Sequence, residues 1–395
     1  MSFSGGTGQT PDKLYYDITI TNLQTKTTPP PIAYFNESRN TPFVYKPEDY
    51  YFSIIRFTLD TPTLPVFSPD IVPFSPNRDL TIYSFTLQWT NPVAPFQTFT
   101  QQTPVIFVPQ DKQATPPNPP SQTTNGLQNN LGGYYNIYNY QYWIYLCNIA
   151  LTQCFNDLNT QVVGAGLVLP TTNAPVLNFD TQNNIGILIA DEAGYDYTVS
   201  NHIKIYFNPA MYQLFSSFPV IIENLTSTAL GENLLIDTNT FGGSNLVQYP
   251  PIAPTYTAIQ VFQEYSTIAL WTPITSIVFC SNTLPVVPNQ VSAPLLFLDG
   301  RIYSSGNNSN IAQVITDFVS DTGIYKPNIV YNPTAEYRLI ELQGNRPLTN
   351  VDITIFWKNR VGELIPFRLS SGSTATIKVL FTKKGSTTKD RSAYY

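Results

Sequence analysis

One histidine, His202, and three cysteines, Cys147, Cys154 and Cys280, are the only imidazole and thiols in the 395-residue chain. A Ser-His-Asp or Cys-His arrangement needs an imidazole as base. His202 stands in SNHIKIYF, where a strand begins, and nothing in its neighbourhood assigns it a nucleophile. No CxxC or HExxH occurs, so a zinc site has no ligand cluster to start from. Cys147 and Cys154 lie seven residues apart in a helix-like segment, which puts them ~10 Å apart along one face. That exceeds the ~7 Å limit for a disulfide. Cys280 sits in the strand-like TSIVFCS. All three read as small buried apolar residues rather than a disulfide framework, and a reducing compartment is preferred. Asp191 and Glu192 are adjacent in a turn, which does not make a glycosidase pair. The early Gly5-Gly6-Thr7-Gly8 lacks a preceding strand and a lysine, so it is not a phosphate loop. The residues therefore predict no catalytic site, no metal site and no cofactor.

The tyrosines are the next chemical signal. Tyr134, Tyr135, Tyr138, Tyr140, Tyr142 and Tyr145 crowd the start of a segment from Tyr138 to Leu158 that holds no Gly or Pro. Trp143, Cys147, Ala150, Cys154 and Leu158 recur there at helical spacing, widened by Ile144, Leu151 and Phe155, which predicts a helix over 138–158. A base-stacking platform normally comes with a basic groove, and this stretch has no cation, so packing against a core or a partner is favoured. A second, short helix is expected after Pro209, with Met211, Leu214, Phe215 and Phe218 on one face.

Most of the remaining chain is punctuated β-sequence. Tyr50–Leu59, Leu80–Trp89, Val351–Lys358 and Thr374–Thr382 are β-branched or aromatic runs. Between such runs lie Pro-rich stretches at 27–31, 60–76 and 115–121, which cannot be central strands. The pattern predicts a mainly β fold: one or two antiparallel jelly-roll sandwiches with long Pro-rich loops and one or two helices. The expected organisation is a flexible N-terminus (1–13), an N-terminal β region (14–110) and a Pro/Gln/Asn-rich linker or loop (111–133). A mixed region (134–250), a C-terminal β region (251–384) and a basic flexible tail (385–395) follow. No apolar run is long enough to span a membrane, and MSFSGGTGQTPDKLYYD has neither the basic start nor the apolar core of a secretory signal.

Charge supplies the functional hint. Charged residues are 12% of the chain, about half of the ~25% usual for soluble domains. From Leu80 to Phe179 the only ones are Asp111, Lys112 and Asp157. Residues 1–350 carry 12 Lys and Arg against 23 Asp and Glu; residues 351–395 carry 8 against 3. An acidic body with a basic end, and an uncharged polar and aromatic middle, fits a subunit covered by its neighbours. The candidate interface residues are Tyr134, Tyr135, Tyr138, Tyr140 and Tyr142, with the tail cations Lys383, Lys384, Lys389 and Arg391. Pro-rich loops 60–76 and 111–133 are further candidates. The rival reading is a carbohydrate-binding or adhesion sandwich.

Several strings, among them FNESRNTPFVYKPEDYYFSIIRFTLDTPTLPVF (35–67), YYNIYNYQYWIYLCNIALTQCFNDL (134–158) and HIKIYFNPAMYQLFSSFPVI (202–221), carry a resemblance, as do 270–288 and 335–384. They resemble the minor capsid or penton proteins of polinton-like and virophage-type small DNA viruses. The resemblance implies a jelly-roll subunit at the capsid vertices, a homopentamer, beside a major capsid protein with a double jelly-roll fold. It implies a virion location and pairing of Thr374–Thr382 with the N-terminal β region, so that 251–384 completes a jelly roll and part of 134–250 is an inserted domain; the rival within this resemblance is a major capsid protein. Direct contact with nucleic acid is not expected apart from the basic tail.

Overall fold

The strand Thr374–Lys383 lies between Lys13–Thr21 and Tyr50–Asp60, antiparallel to both, so the end of the chain closes a sheet that its beginning opened. The computed structural model describes residues 11–25, 30–223, 234–287, 289–290, 295–298, 301–304, 311–319, 328–332 and 338–385. They divide into two units: Met1–Leu64 with Ile274–Tyr395, and Pro65–Pro273.

Eight main strands build the first unit. In chain order they are Lys13–Thr21, Tyr34–Ser38, Tyr50–Asp60, Ile274–Cys280, Val314–Phe318, Asn328–Tyr331, Asn350–Asn359 and Thr374–Lys383. Counted among themselves, they lie in the order 1-8-3-6 in one sheet and 2-7-4-5 in the other. First pairs with eighth, second with seventh, third with sixth and fourth with fifth, all antiparallel. A ribbon folded in half and rolled gives this order, and it is a jelly roll. Alternation sets the faces: Ala375, Ile377, Val379 and Phe381 from one sheet share a core with Val351, Ile353, Ile355 and Trp357 from the other. Phe57 spans the sandwich, its ring 5.1 Å from Phe279 and 4.9 Å from Phe318. The run between the third and fourth strands is the second unit. It reaches from Pro65 to Pro273, wider than the expected 134–250, because Leu80–Thr90 pairs with Lys204–Phe207 and draws the earlier hairpin into the same sheet.

The second unit has its own core. One sheet runs Thr98–Ile106, Leu80–Thr90, Lys204–Phe207, Leu234–Ile236, Val220–Ile222; the other runs Leu246–Tyr249, Tyr256–Phe262, Ile185–Asp191, Val176–Asp180. The long helix occupies Tyr140–Gly164, shifted from the expected 138–158. Its start is set by Asn139, whose side chain accepts from Tyr142 N at 2.9 Å. It continues to the first glycine, and Gly166 at φ +75° closes it. Cys154 Sγ donates to Gln101 O at 3.2 Å and Asn148 Nδ2 to Leu177 O at 2.8 Å, so the helix is fastened to both sheets. The expected short helix occupies Pro209–Leu214, with Pro at its first position and Met211, Leu214, Phe215 and Phe218 buried.

The Pro-rich stretches 60–76 and 111–133 are anchored, while most of 27–31 lies outside the described residues. In 60–76, Leu64, Val66, Phe67 and Ile71 are buried, and Val66 N donates to Ile137 O at 2.8 Å. These apolar side chains are therefore core and not contact surface. Residues 111–133 belong to the second unit, held by Arg78 Nη1 to Pro117 O (2.6 Å) and by Gln128, which accepts from Ile71 N and donates to Pro69 O. Gly126, at φ +75°, lies where an added Cβ would come within 2.9 Å of the Phe74 ring.

Candidate functional site

The structure separates the predicted interface tyrosines into two kinds. Tyr134 and Tyr135 are 5% and 1% exposed, packed edge-on at 5.1 Å and against Phe107 at 5.7 and 5.4 Å. Tyr134 Oη donates to Asp79 Oδ1 (3.0 Å) and Tyr135 Oη to Arg78 O (2.9 Å). Burial, reinforced by the Asp79 carboxylate, pushes the Tyr134 phenol up to about 12, and burial raises Tyr135 likewise. These two side chains are core, which corrects their assignment to the interface: their hydroxyls find partners inside the subunit, so the rings have no surface to offer. Tyr138 is half-buried, with its N–H donating to Gln110 Oε1 at 2.8 Å. Tyr140 is half-buried against Phe179 and Trp271, at 5.1 and 5.5 Å.

Tyr142 faces outward in part. Its hydroxyl donates to Val108 O at 2.8 Å, and its ring lies 6.2 Å from that of Tyr145. Tyr145 and Ile149 are 58% and 48% exposed. From there an outward stripe continues at helical spacing through Thr152, Asn156, Thr160 and Val163 without one charged residue. Asp157, the helix's only ionisable acid or base of ordinary charge, lies beside this stripe and accepts from Gln153 Nε2. A surface helix normally turns a charged face to water; this one turns a polar-aromatic face outward. The Tyr-rich helix entry at 134–145 takes in Tyr145 but stops short of Ile149, which shares its face one turn further on.

Of the tail cations, Lys383 ends the last jelly-roll strand and Lys384 opens the turn after it. Lys384 Nζ pairs with Glu341 and lies 5.4 Å over the Tyr51 ring. Lys389 and Arg391 lie outside the described residues.

His202, the three cysteines and Asp191 are all buried or half-buried. His202 is half-buried, its Nδ1 on Val199 O and its ring 5.3 Å from Tyr197, and burial lowers its pKa. Cys147, Cys154 and Cys280 are buried free thiols; burial raises Cys147 well above its ordinary value and pushes Cys154 and Cys280 to about 11 and 12. Asp191 is buried and caps the turn after its strand, accepting from Thr171 Oγ1 (2.5 Å), Asn173 Nδ2 (2.7 Å) and Ala193 N (3.1 Å). Among the described residues no three His, Cys, Asp or Glu side chains gather as metal ligands, and no helix is long and apolar enough to cross a membrane.

The unit boundary reorganises the charge. The inserted unit, Pro65–Pro273, carries 3 Lys and Arg (Arg78, Lys112, Lys204) against 12 Asp and Glu, a net −9. The jelly-roll unit and its ends carry 17 against 14, a net +3.

Comparison with known proteins agrees with this arrangement. Residues 14–383 match the family described as Sputnik minor capsid protein V18/19. Structural protein V19 of Sputnik virophage is 32% identical over 216 residues, covering 52% of this chain and 93% of the relative. Uncharacterized protein V18 of the same virophage is 32% identical over 156 residues, 39% of this chain and 89% of the relative. Among solved structures, a chain of the Sputnik virophage structure determined by cryo-EM aligns with a TM-score of 0.76 at 28% identity, covering 95% of this chain and 99% of that one. The mavirus penton protein shares the fold, with a TM-score of 0.58 at 15% identity over 94% and 100% of the two chains. With a jelly roll closed by its own last strand and a family match across both units, the chain belongs to the Sputnik minor capsid protein V18/19 family.

Proposed function

We propose that this protein is a structural, non-enzymatic subunit of a virion, placed at the capsid vertices as a homopentamer beside a double jelly-roll major capsid protein. The observation that carries the reading is the family match from residue 14 to 383, which takes in both units. The fold likeness to a penton protein supports the vertex position. Burial of the thiols and internal use of Asp191 support a role without catalysis. The uncharged helix face supports contact with protein, since a face without ions loses little on desolvation. Nucleic-acid contact is confined in this reading to the basic C-terminal tail. Quantitative mass spectrometry of purified virions tests the assignment. A copy number of a few dozen, far below that of the major shell protein, is the expected result. Parity with the major shell protein would overturn the vertex reading.

A further inference from the structure

The inserted unit carries two exposed apolar features at opposite ends of one sheet. The first is the tip of the hairpin joining Leu80–Thr90 to Thr98–Ile106, closed by Asn91 N donating to Gln97 O at 2.8 Å. Its Val93 and Phe96 are 67% and 72% exposed. An aromatic held this far into water at the end of a fixed hairpin is an unusual use of a large apolar side chain. The second is the helix face at Tyr142, Tyr145 and Ile149.

Their placement follows from two contacts. Tyr142 Oη reaches Val108 O just beyond the far end of Thr98–Ile106, while Gln161 Nε2 meets Gln101 Oε1 (2.7 Å) near the end that carries the tip. The helix therefore runs antiparallel to the strand, with its tyrosine end away from Phe96. Nine strand residues at ~3.4 Å each separate the two features by roughly 30 Å. They cannot meet within one subunit. A rigid body with an apolar knob at one end and an apolar seat at the other associates head to tail, and such contacts close rings when the rotation permits.

The charge distribution permits the same pairing. Two copies of a unit at net −9 repel, so they meet where ions are absent. The tip, residues 91–97, and the stripe from Tyr142 to Val163 are both free of charged residues. The helix face is ~37 Å long and ~10 Å wide, less than half of the ~800 Å² that each partner of a stable complex buries. It therefore supplies the apolar centre of a contact that the surrounding uncharged surface completes. We propose that Phe96 and Val93 of one subunit seat on the Tyr142, Tyr145 and Ile149 face of a second copy. This rests on the self-assembly reading above.

The test uses the full-length chain. A Phe96→Cys, Tyr145→Cys double variant is oxidised and run on a denaturing gel; the native thiols are buried and do not compete. A ladder of linked copies absent from either single variant is expected. Phe96→Ser and Tyr145→Ser are each expected to weaken self-association at least tenfold by sedimentation, with thermal unfolding of the subunit unchanged because both side chains are exposed. Wild-type assembly that survives both serine variants, with no ladder, overturns the contact and leaves the self-assembly reading standing. A wild-type chain that never self-associates overturns both. Cross-linking of the Phe96→Cys variant to a different shell protein, and never to a second copy, also overturns the contact.

Discussion

Asp352 carries more of the jelly roll than any residue that its own sequence neighbourhood would single out. Its carboxylate is 1% exposed and accepts from Ser281 Oγ (2.6 Å), Thr283 Oγ1 (2.7 Å), and the backbone N–H groups of Asn282 and Thr283 (2.9 Å each). The seventh jelly-roll strand is thereby tied to the turn that follows the fourth. Burial works to raise its pKa, but the donors from Ser281, Thr283 and the backbone outweigh it and hold the group below its ordinary value. A depressed pKa contributes stability that is present above the ordinary carboxylate value of ~3.9 and is lost as pH falls through the folded value. Asp352→Ala is expected to cost roughly 3 kcal/mol near neutrality, because several buried donors lose their acceptor. The loss should shrink as pH falls below the ordinary carboxylate range and through the folded value, where the wild-type group is protonated as well. Thermal melts across that range check both statements; an equal penalty at every pH would contradict the electrostatic part. None of this is legible in VDITIFWK, since the donors lie about 70 residues away in sequence. Tyr134 and Tyr135 failed as interface residues for a related reason: spacing shows that an aromatic faces something, and whether that is a core or a partner depends on distant residues such as Asp79 and Arg78.

Helices and long strands were the readable elements. Both helices have a capping asparagine, and the two caps differ in what they hold. Asn139 accepts from Tyr142 N alone, whereas Asn208 accepts from Met211 N (2.9 Å) and Ser84 N (3.1 Å) and donates to Ile82 O (2.7 Å). Asn139→Ala should cost about 1 kcal/mol, and Asn208→Ala roughly 2–3, since it also frees two groups of a central strand. Chemical denaturation of the two variants side by side measures the difference; equal costs would mean that the bridge to Leu80–Thr90 contributes nothing. Strands with a polar outer face were harder to read. Thr98–Ile106 (TFTQQTPVI) does not read as a strand over most of its length, because an edge strand covered on one side by a helix can carry Thr, Gln and even Pro at the unpaired edge. Tyr34–Ser38 was similarly hidden: its pairing with Asn350–Asn359 comes from across the whole chain. The runs Val351–Lys358 and Thr374–Thr382 were legible because apolar alternation coincided with a sandwich interior.

At the scale of the molecule, the composition needed the fold to be understood. A cut at residue 350 suggested an acidic body with a basic end; the unit boundaries at Leu64 and Ile274 show instead a jelly roll at net +3 interrupted by an insertion at net −9. No local pattern marks those boundaries, because the Pro-rich run at 60–76 has its apolar residues buried on either side of the cut. The insertion contains a core of its own, so residues 65–273 expressed alone are expected to unfold cooperatively, while a broad, non-cooperative melt would show that the core depends on the rest of the chain. A jelly roll whose inserted unit turns an uncharged, aromatic helix face outward suits the shell role proposed above. Analytical ultracentrifugation of the purified full-length protein over a wide concentration range tests this most directly. The expected result is a discrete particle of five times the chain mass in concentration-dependent exchange with the monomer; a monomer at every concentration, or a closed ring of another number, would contradict the vertex assignment.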